Sequence, residues 1–146
     1  ITYSCLIDVC MKSKQKDHGL AVYANAYANG YKDHWKSRAG LLMDLHDHSR
    51  YSASAAVQHA FNELLPSNGK ERKGLWESRK DSVNSVRIIT GKGIHSKVMH
   101  TCVVRAEVER VLEEELGVSW VEEEGNSGVV VVNRAEIERW LRAERE

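Results

Sequence analysis

The sequence lacks any long hydrophobic run. No apolar stretch approaches the roughly 18 residues that a bilayer-spanning helix needs, so a membrane helix is excluded. It also lacks paired cysteines. Cys5, Cys10 and Cys102 form no C-x-x-C unit, and an odd, scattered set argues for a reducing compartment and against a disulfide framework or a cysteine zinc site. The seven histidines contain no H-x-x-x-H pair, so most are expected on the surface or in the core and no metal set is read from them. Net charge is absent as well, with 21 Lys and Arg against 21 Asp and Glu. That removes the overall basic signature common in nucleic-acid-binding domains. Finally, the chain opens on Ile1 rather than Met, with no charged-then-apolar leader, and is expected to be cut from a longer precursor.

What remains is an ordinary globular composition, 42% hydrophobic and 29% charged over 146 residues. The length suits one domain with room for a short extra element. The charge is split along the chain. Lys70, Arg72, Lys73, Arg79, Lys80, Arg87, Lys92, Lys97 and Arg105 fall in one central stretch, while Glu113–Glu115 and Glu122–Glu124 come after it. Such a chain can carry a basic face without net charge; a mixed, solvated surface is the plainer alternative.

Two parts differ in pattern. In residues 1–35, Tyr3, Leu6, Ile7 and Cys10 fall at helical spacing, and so do Leu20, Tyr23 and Tyr27, with Gly30 as a stop. Two short helices cannot bury their apolar faces alone, which suggests a helical repeat, the last of an array. Residues 36–39 read as a linker. Residues 40–146 alternate strand and helix signals: a strand at Leu41–His46, a helix at Ser52–Leu65, a long surface loop over 66–84 and a strand at Val86–Thr90. Next come a helix at His100–Leu116 and strands at Trp120–Glu123 and Val129–Val132 around the turn Gly125–Gly128. Asn133 and Glu136 suggest a capping box for a last helix packing Ile137, Trp140 and Leu141. The order predicts an α/β sandwich of about four strands, partly parallel.

Two motifs could carry chemistry. Asp44 and His46 stand two apart on a predicted strand, so carboxylate and imidazole share a face while Leu45 points into the core. A carboxylate can orient an imidazole and raise its pKa, at the strand end where open α/β sheets place ligands. Thr90-Gly91-Lys92-Gly93 comes after the next strand. Its glycines free backbone N–H groups for an anion and Lys92 adds charge, which makes phosphate the natural guest. The spacing is not that of a Walker loop. His95, Ser96, Lys97 and His100 extend the rim. Each motif alone is short: a D-x-H pair is commonly only solvated, and a tight turn also needs glycine.

Together they carry a resemblance. Residues 1–35 align without a gap to the pentatricopeptide repeat, with Gly19 where Ala is usual and Asp33 where Pro is common. The series L-L-M-D-L-H-D-H-S, I-I-T-G-K-G-I-H-S-K and E-G-N-S-G-V-V-V-V resembles the small MutS-related domain over about residues 40–140, in the version that ends pentatricopeptide repeat proteins. The resemblance implies the four-stranded α/β sandwich also seen in the C-terminal domain of the third bacterial translation initiation factor. It places the family's L-D-x-H motif on Met43, Asp44, Leu45 and His46, and its T-G-x-G motif on Thr90, Gly91, Lys92 and Gly93. The family's frequent glycine after the histidine is Asp47 here. In the repeat family, the positions of Ser4 and His34 face an RNA base; packing between the array and the domain after it is the plainer role.

The implied activity is cleavage of single-stranded RNA at sites chosen by upstream repeats, in a chloroplast or mitochondrion. His46 would be the general acid or base, oriented by Asp44, with Lys92 and the glycine loop stabilising phosphoryl charge. Thr90, Gly91, Gly93, His95, Ser96, Lys97 and Arg105 would contact the nucleic acid. No cofactor is required by this reading; a variant route shares Mg²⁺ between Asp44 and Asp47. The rival class is a non-catalytic RNA-binding and docking module, and DNA nicking ranks third. A monomer without membrane partners is expected.

Overall fold

The computed structural model describes residues 3–13, 15–30, 33–66, 74–91 and 98–145. The chain begins with two helices, α1 (Tyr3–Lys12) and α2 (Lys16–Ala28). Ile7, Cys10 and Tyr23 are buried between them and the rest of the protein, whereas Leu6 is 39% exposed. Gly19 has a packing cause: a Cβ there would lie 2.6 Å from Met11 Sδ, so its absence lets α2 approach α1 closely. The pair is fastened to the rest of the chain. Ser49 Oγ donates to Asp8 Oδ1 at 2.9 Å, Lys16 pairs with Glu115, and both helices pack on α3 (Arg50–Leu64).

Beyond the helix pair lies a mixed sheet, made of β1 (Trp35–Ser37), β2 (Leu42–Asp44), β3 (Ser85–Ile89), β4 (Val121–Glu123) and β5 (Asn126–Asn133) in the order β1-β2-β3-β5-β4. Only β2 and β3 run parallel, with Asp44 opposite Ile89; the other pairs are antiparallel. Among the described residues the sheet therefore has five strands, not the four expected. The additional one, β1, comes from the junction where the sequence suggested a linker at 36–39. Three residues are too few for a period-two pattern to show, and β1 owes its place to pairing with β2. On β3, Val86 and Ile88 are buried with their neighbours half-exposed, as alternation requires. On β5, Val129–Val132 are all buried, the continuous apolar run of a strand covered on both faces.

Helix α3 is capped by Ser49, whose hydroxyl accepts from Ser52 N–H, and Ala53, Ala56, Val57, Ala60, Phe61 and Leu64, which fall at helical spacing, are buried. The segment read as surface loop over 66–84 contains a short helix, α4 (Leu75–Arg79), whose Trp76 is 1% exposed and lies under Arg134; residues 67–73 fall outside the described residues. Helix α5 (Val98–Arg110) runs into a π-helical turn at Val111–Glu115, burying Val104, Val108, Val111 and Leu112. Helix α6 (Arg134–Arg145) buries Ile137, Trp140 and Leu141, with Trp140 edge-on to Phe61 at 5.3 Å. Two further local expectations change. The β4–β5 turn sits at Glu124-Gly125, because Asn126 already belongs to β5. Glu136 accepts from Ser119 N–H and pairs with Arg139. Among the described residues, no helix is long and apolar enough to cross a membrane.

Candidate functional site

Strand β2 ends at Asp44, and the chain then folds into a turn rather than continuing to His46. The side chains meet for a different reason than strand alternation. Asp44 Oδ1 accepts from the backbone N–H of His46 at 3.1 Å and lies 2.5 Å from its Nδ1, the geometry of an aspartate-nucleated turn. Leu45 is buried and its N–H donates to Ile89 O at 2.8 Å, so the site is pinned to the end of β3. His46 remains half-exposed, with Asp47 Oδ1 3.1 Å from Nε2. The imidazole is thus bracketed by two carboxylates. Its hydrogen bond to Asp44 raises its pKa from the ordinary 6.5, aided by the charges of Asp44 and Asp47 and opposed by partial burial. Partial burial alone would raise the Asp44 carboxyl, yet the bonds from the His46 ring and backbone hold it below its usual range. The pair favours imidazolium against carboxylate. Because His46 lies between Asp44 and Asp47, a Mg²⁺ shared by the two carboxylates would require the ring to move away.

Asp44 and His46 line an open cleft of about 400 Å³ together with Asp33, Lys36, Asp47 and His48. Three of these, Asp33, Lys36 and His48, were not singled out from the sequence as site residues. Lys36 lies on β1 and its charge acts on both Asp44 and His46. His48 is buried, its Nδ1 2.9 Å from Ser52 Oγ, and supports the turn from behind. Nothing in the linker-like stretch around Lys36 marked it; only the added strand brings it there.

The second motif begins beside the first, since Thr90 comes directly after the strand paired with β2. Thr90 is buried, and both its N–H (2.9 Å) and its hydroxyl (3.3 Å) donate to Gly128 O, so its polar groups hold the loop to β5. Gly91 has φ +89°, a left-handed conformation that glycine adopts without strain. Lys92, Gly93, His95, Ser96 and Lys97 lie outside the described residues, as does the side chain of Ser4. Arg105 on α5 pairs with Glu109 (2.7 Å) and Glu122 (3.1 Å) and covers Trp120.

His34 is fully buried and presents no edge to a base. Its Nδ1 is 2.9 Å from Tyr23 Oη and its Nε2 is 2.8 Å from Glu63 Oε1. Glu63, on α3, also accepts from Trp35 Nε1 at 3.0 Å and Arg38 at 3.3 Å, and lies 3.3 Å from His59 Nδ1. Burial lowers the His34 pKa, which keeps the ring neutral. Burial would raise Glu63, but the bonds from His34, His59 and Trp35 outweigh it and keep the carboxyl ionised. Tyr27 stacks on His34 at 4.7 Å, and burial and Glu63 push its hydroxyl up to about 12. Among the described residues, His34, His59 and Glu63 are the set whose donor atoms converge as metal ligands would, all within 4.8 Å of one another.

Residues 43–135 match the family model described as Smr domain. That range holds Asp44, His46, Thr90 and Gly91, and such domains are compatible with nuclease action or with RNA or DNA binding. No curated protein and no solved structure matches the chain.

Proposed function

The chain belongs to the Smr domain family, whose model covers more than half of it, and from this premise we propose that it binds and cleaves single-stranded RNA at the Asp44–His46 cleft. The observation that carries the proposal is the contact between Asp44 Oδ1 and His46 Nδ1 at 2.5 Å, at the end of the parallel strand pair. A held imidazolium can donate a proton to a leaving oxygen. His46 is accordingly the general acid, with Asp44 orienting it. Lys36 and the glycine loop that follows Thr90, through Lys92 and Gly93 to Lys97, contact phosphate, with Thr90 anchoring the loop to β5. A phosphate bound there, flanked by lysine and glycine N–H groups, would have its developing charge stabilised. In this proposal residues 1–35 are the last pentatricopeptide-type repeat of an array that selects the RNA, and the protein works in organellar RNA processing.

The test is incubation of the purified chain with labelled single-stranded RNA, parent against His46→Ala. General acid–base catalysis contributes about 10²–10⁴-fold, so the variant should cut at least 100-fold more slowly with binding nearly intact. Equal cleavage by the two proteins refutes the assignment. A second reading, a non-catalytic RNA-binding module, is favoured by one observation: Asp47 occupies the outward nitrogen of His46. RNA bound with strong salt dependence but left uncut by the parent decides for it.

A further inference from the structure

The partly buried cluster between His34 and α3 is separate from the Asp44–His46 cleft and takes no part in the proposed cleavage. We propose that His34 Nε2, His59 Nδ1 and Glu63 Oε1 form a binding site for a divalent transition-metal ion of the Zn²⁺ class, placed where the N-terminal helix pair meets α3. The donors come from two segments. His59 and Glu63 are one helical turn apart on α3, and His34 reaches them from the residue before β1. Their spacing suits the ion. Ligand atoms in a tetrahedral zinc site lie about 3.3–3.5 Å apart for bonds of about 2.0–2.2 Å. Here Glu63 Oε1 is 2.8 Å from His34 Nε2 and 3.3 Å from His59 Nδ1, with all three atoms within 4.8 Å. His59, about one-fifth exposed, can adjust by side-chain rotation.

The chemistry of the set agrees. Two imidazoles and a carboxylate are a borderline ligand group that suits Zn²⁺ and its neighbours better than Mg²⁺ or Ca²⁺. Ligation takes two imidazole nitrogens and one carboxylate oxygen, and these three atoms converge here. The surrounding bonds also have the form of an outer shell. Tyr23 Oη holds His34 Nδ1, while Trp35 Nε1 and Arg38 hold Glu63. On binding, His34 would exchange its Nε2 proton for one on Nδ1, with Tyr23 then accepting, and His59 would exchange its Nδ1 proton for one on Nε2, so that each ring stays neutral and no net proton is released. A water or another small ligand completes the coordination, as in three-ligand zinc sites. The ion would fasten the helix pair to the domain, since His34 lies just after α2 and the other ligands lie on α3.

The experiment uses metal-free chain titrated with Zn²⁺ alone, read by calorimetry, and with Co²⁺, read by its visible absorption. The parent should bind one ion saturably, give the absorption of tetrahedral Co²⁺, and show a raised Tm in excess Zn²⁺. His59→Ala leaves the His34–Glu63 contact in place, so it should remain folded by circular dichroism. It should bind more weakly by over 100-fold, beyond the roughly 10–100-fold that loss of an outer-shell partner costs. His18→Ala, at an exposed histidine on α2, should bind as the parent does. Absence of saturable binding in the parent overturns the proposal and leaves a hydrogen-bonded hub. Binding unchanged in His59→Ala also overturns it, assigning the ion to cysteines or surface groups.

Discussion

Two histidine–carboxylate clusters in this chain use the same chemistry in opposite surroundings. At the sheet end, His46 is half-exposed between Asp44 and Asp47, and its pKa is raised because its strongest partner is a hydrogen-bonded carboxylate. Beneath the helix pair, His34 has a carboxylate at a comparable distance, yet burial dominates and its pKa is lowered. Removing the imidazolium from water costs more there than Glu63 returns. The first cluster therefore favours the protonated ring, and the second the neutral one.

The sharpest way to break this contrast is to compare stability losses. Glu63→Ala leaves Arg38, the Trp35 indole and the buried His34 ring without their shared acceptor. It should cost on the order of 3 kcal/mol by urea unfolding. His46→Ala removes an exposed ring and should change stability by no more than about 0.5 kcal/mol. Equal losses would mean that burial does not separate the two clusters.

A second difference is the response to acid. His34 has a folded pKa below its unfolded value of 6.5, so its share of stability is present above that pH and lost as pH falls through the folded value. Glu63, also depressed, adds a loss in the same direction below the ordinary carboxylate range. Thermal unfolding followed downward from neutral pH should show a falling Tm. In His34→Gln the first part of the decline should flatten. The charged groups that act on His34 are Glu63, His59 and Asp33, and a decline unchanged in that variant would refute its assignment to His34.

His46 should behave in the opposite sense. Its folded pKa lies above 6.5, so its contribution is present at low pH and fades as pH rises through the folded value. Asp44→Asn should lower the His46 titration midpoint measured by NMR, and should bring down with it the alkaline limb of any cleavage profile. Asp47→Gly should lower the midpoint less, because Asp47 is 72% exposed and 3.1 Å away. By freeing Nε2 it should also speed cleavage. A larger shift from Asp47 than from Asp44 would reverse their roles.

Much of the domain was legible in the amino acids. The buried face of α3, the inward residues of α5 and α6 and the apolar β5 emerge from periodicity, because burial acts on each residue's place in a short repeat. The Asp44–His46 pair was legible as a motif, although its contact arises from a turn rather than from alternation along a strand. Strand β1, Lys36 in the cleft and the short helix around Trp76 were not legible. Three to five residues carry too little pattern, and their place depends on distant partners such as β2 and Arg134.

By itself the sequence determined which side chains face inward and where the short motifs with a carboxylate beside an imidazole and with paired glycines fall, since both are local properties. Only the tertiary structure decided that Lys36 joins Asp44 and His46, and that His34 turns away from solvent to meet Glu63 and His59. Those meetings join residues 8 to 29 positions apart, and they depend on how the helix pair, α3 and the sheet edge pack against one another.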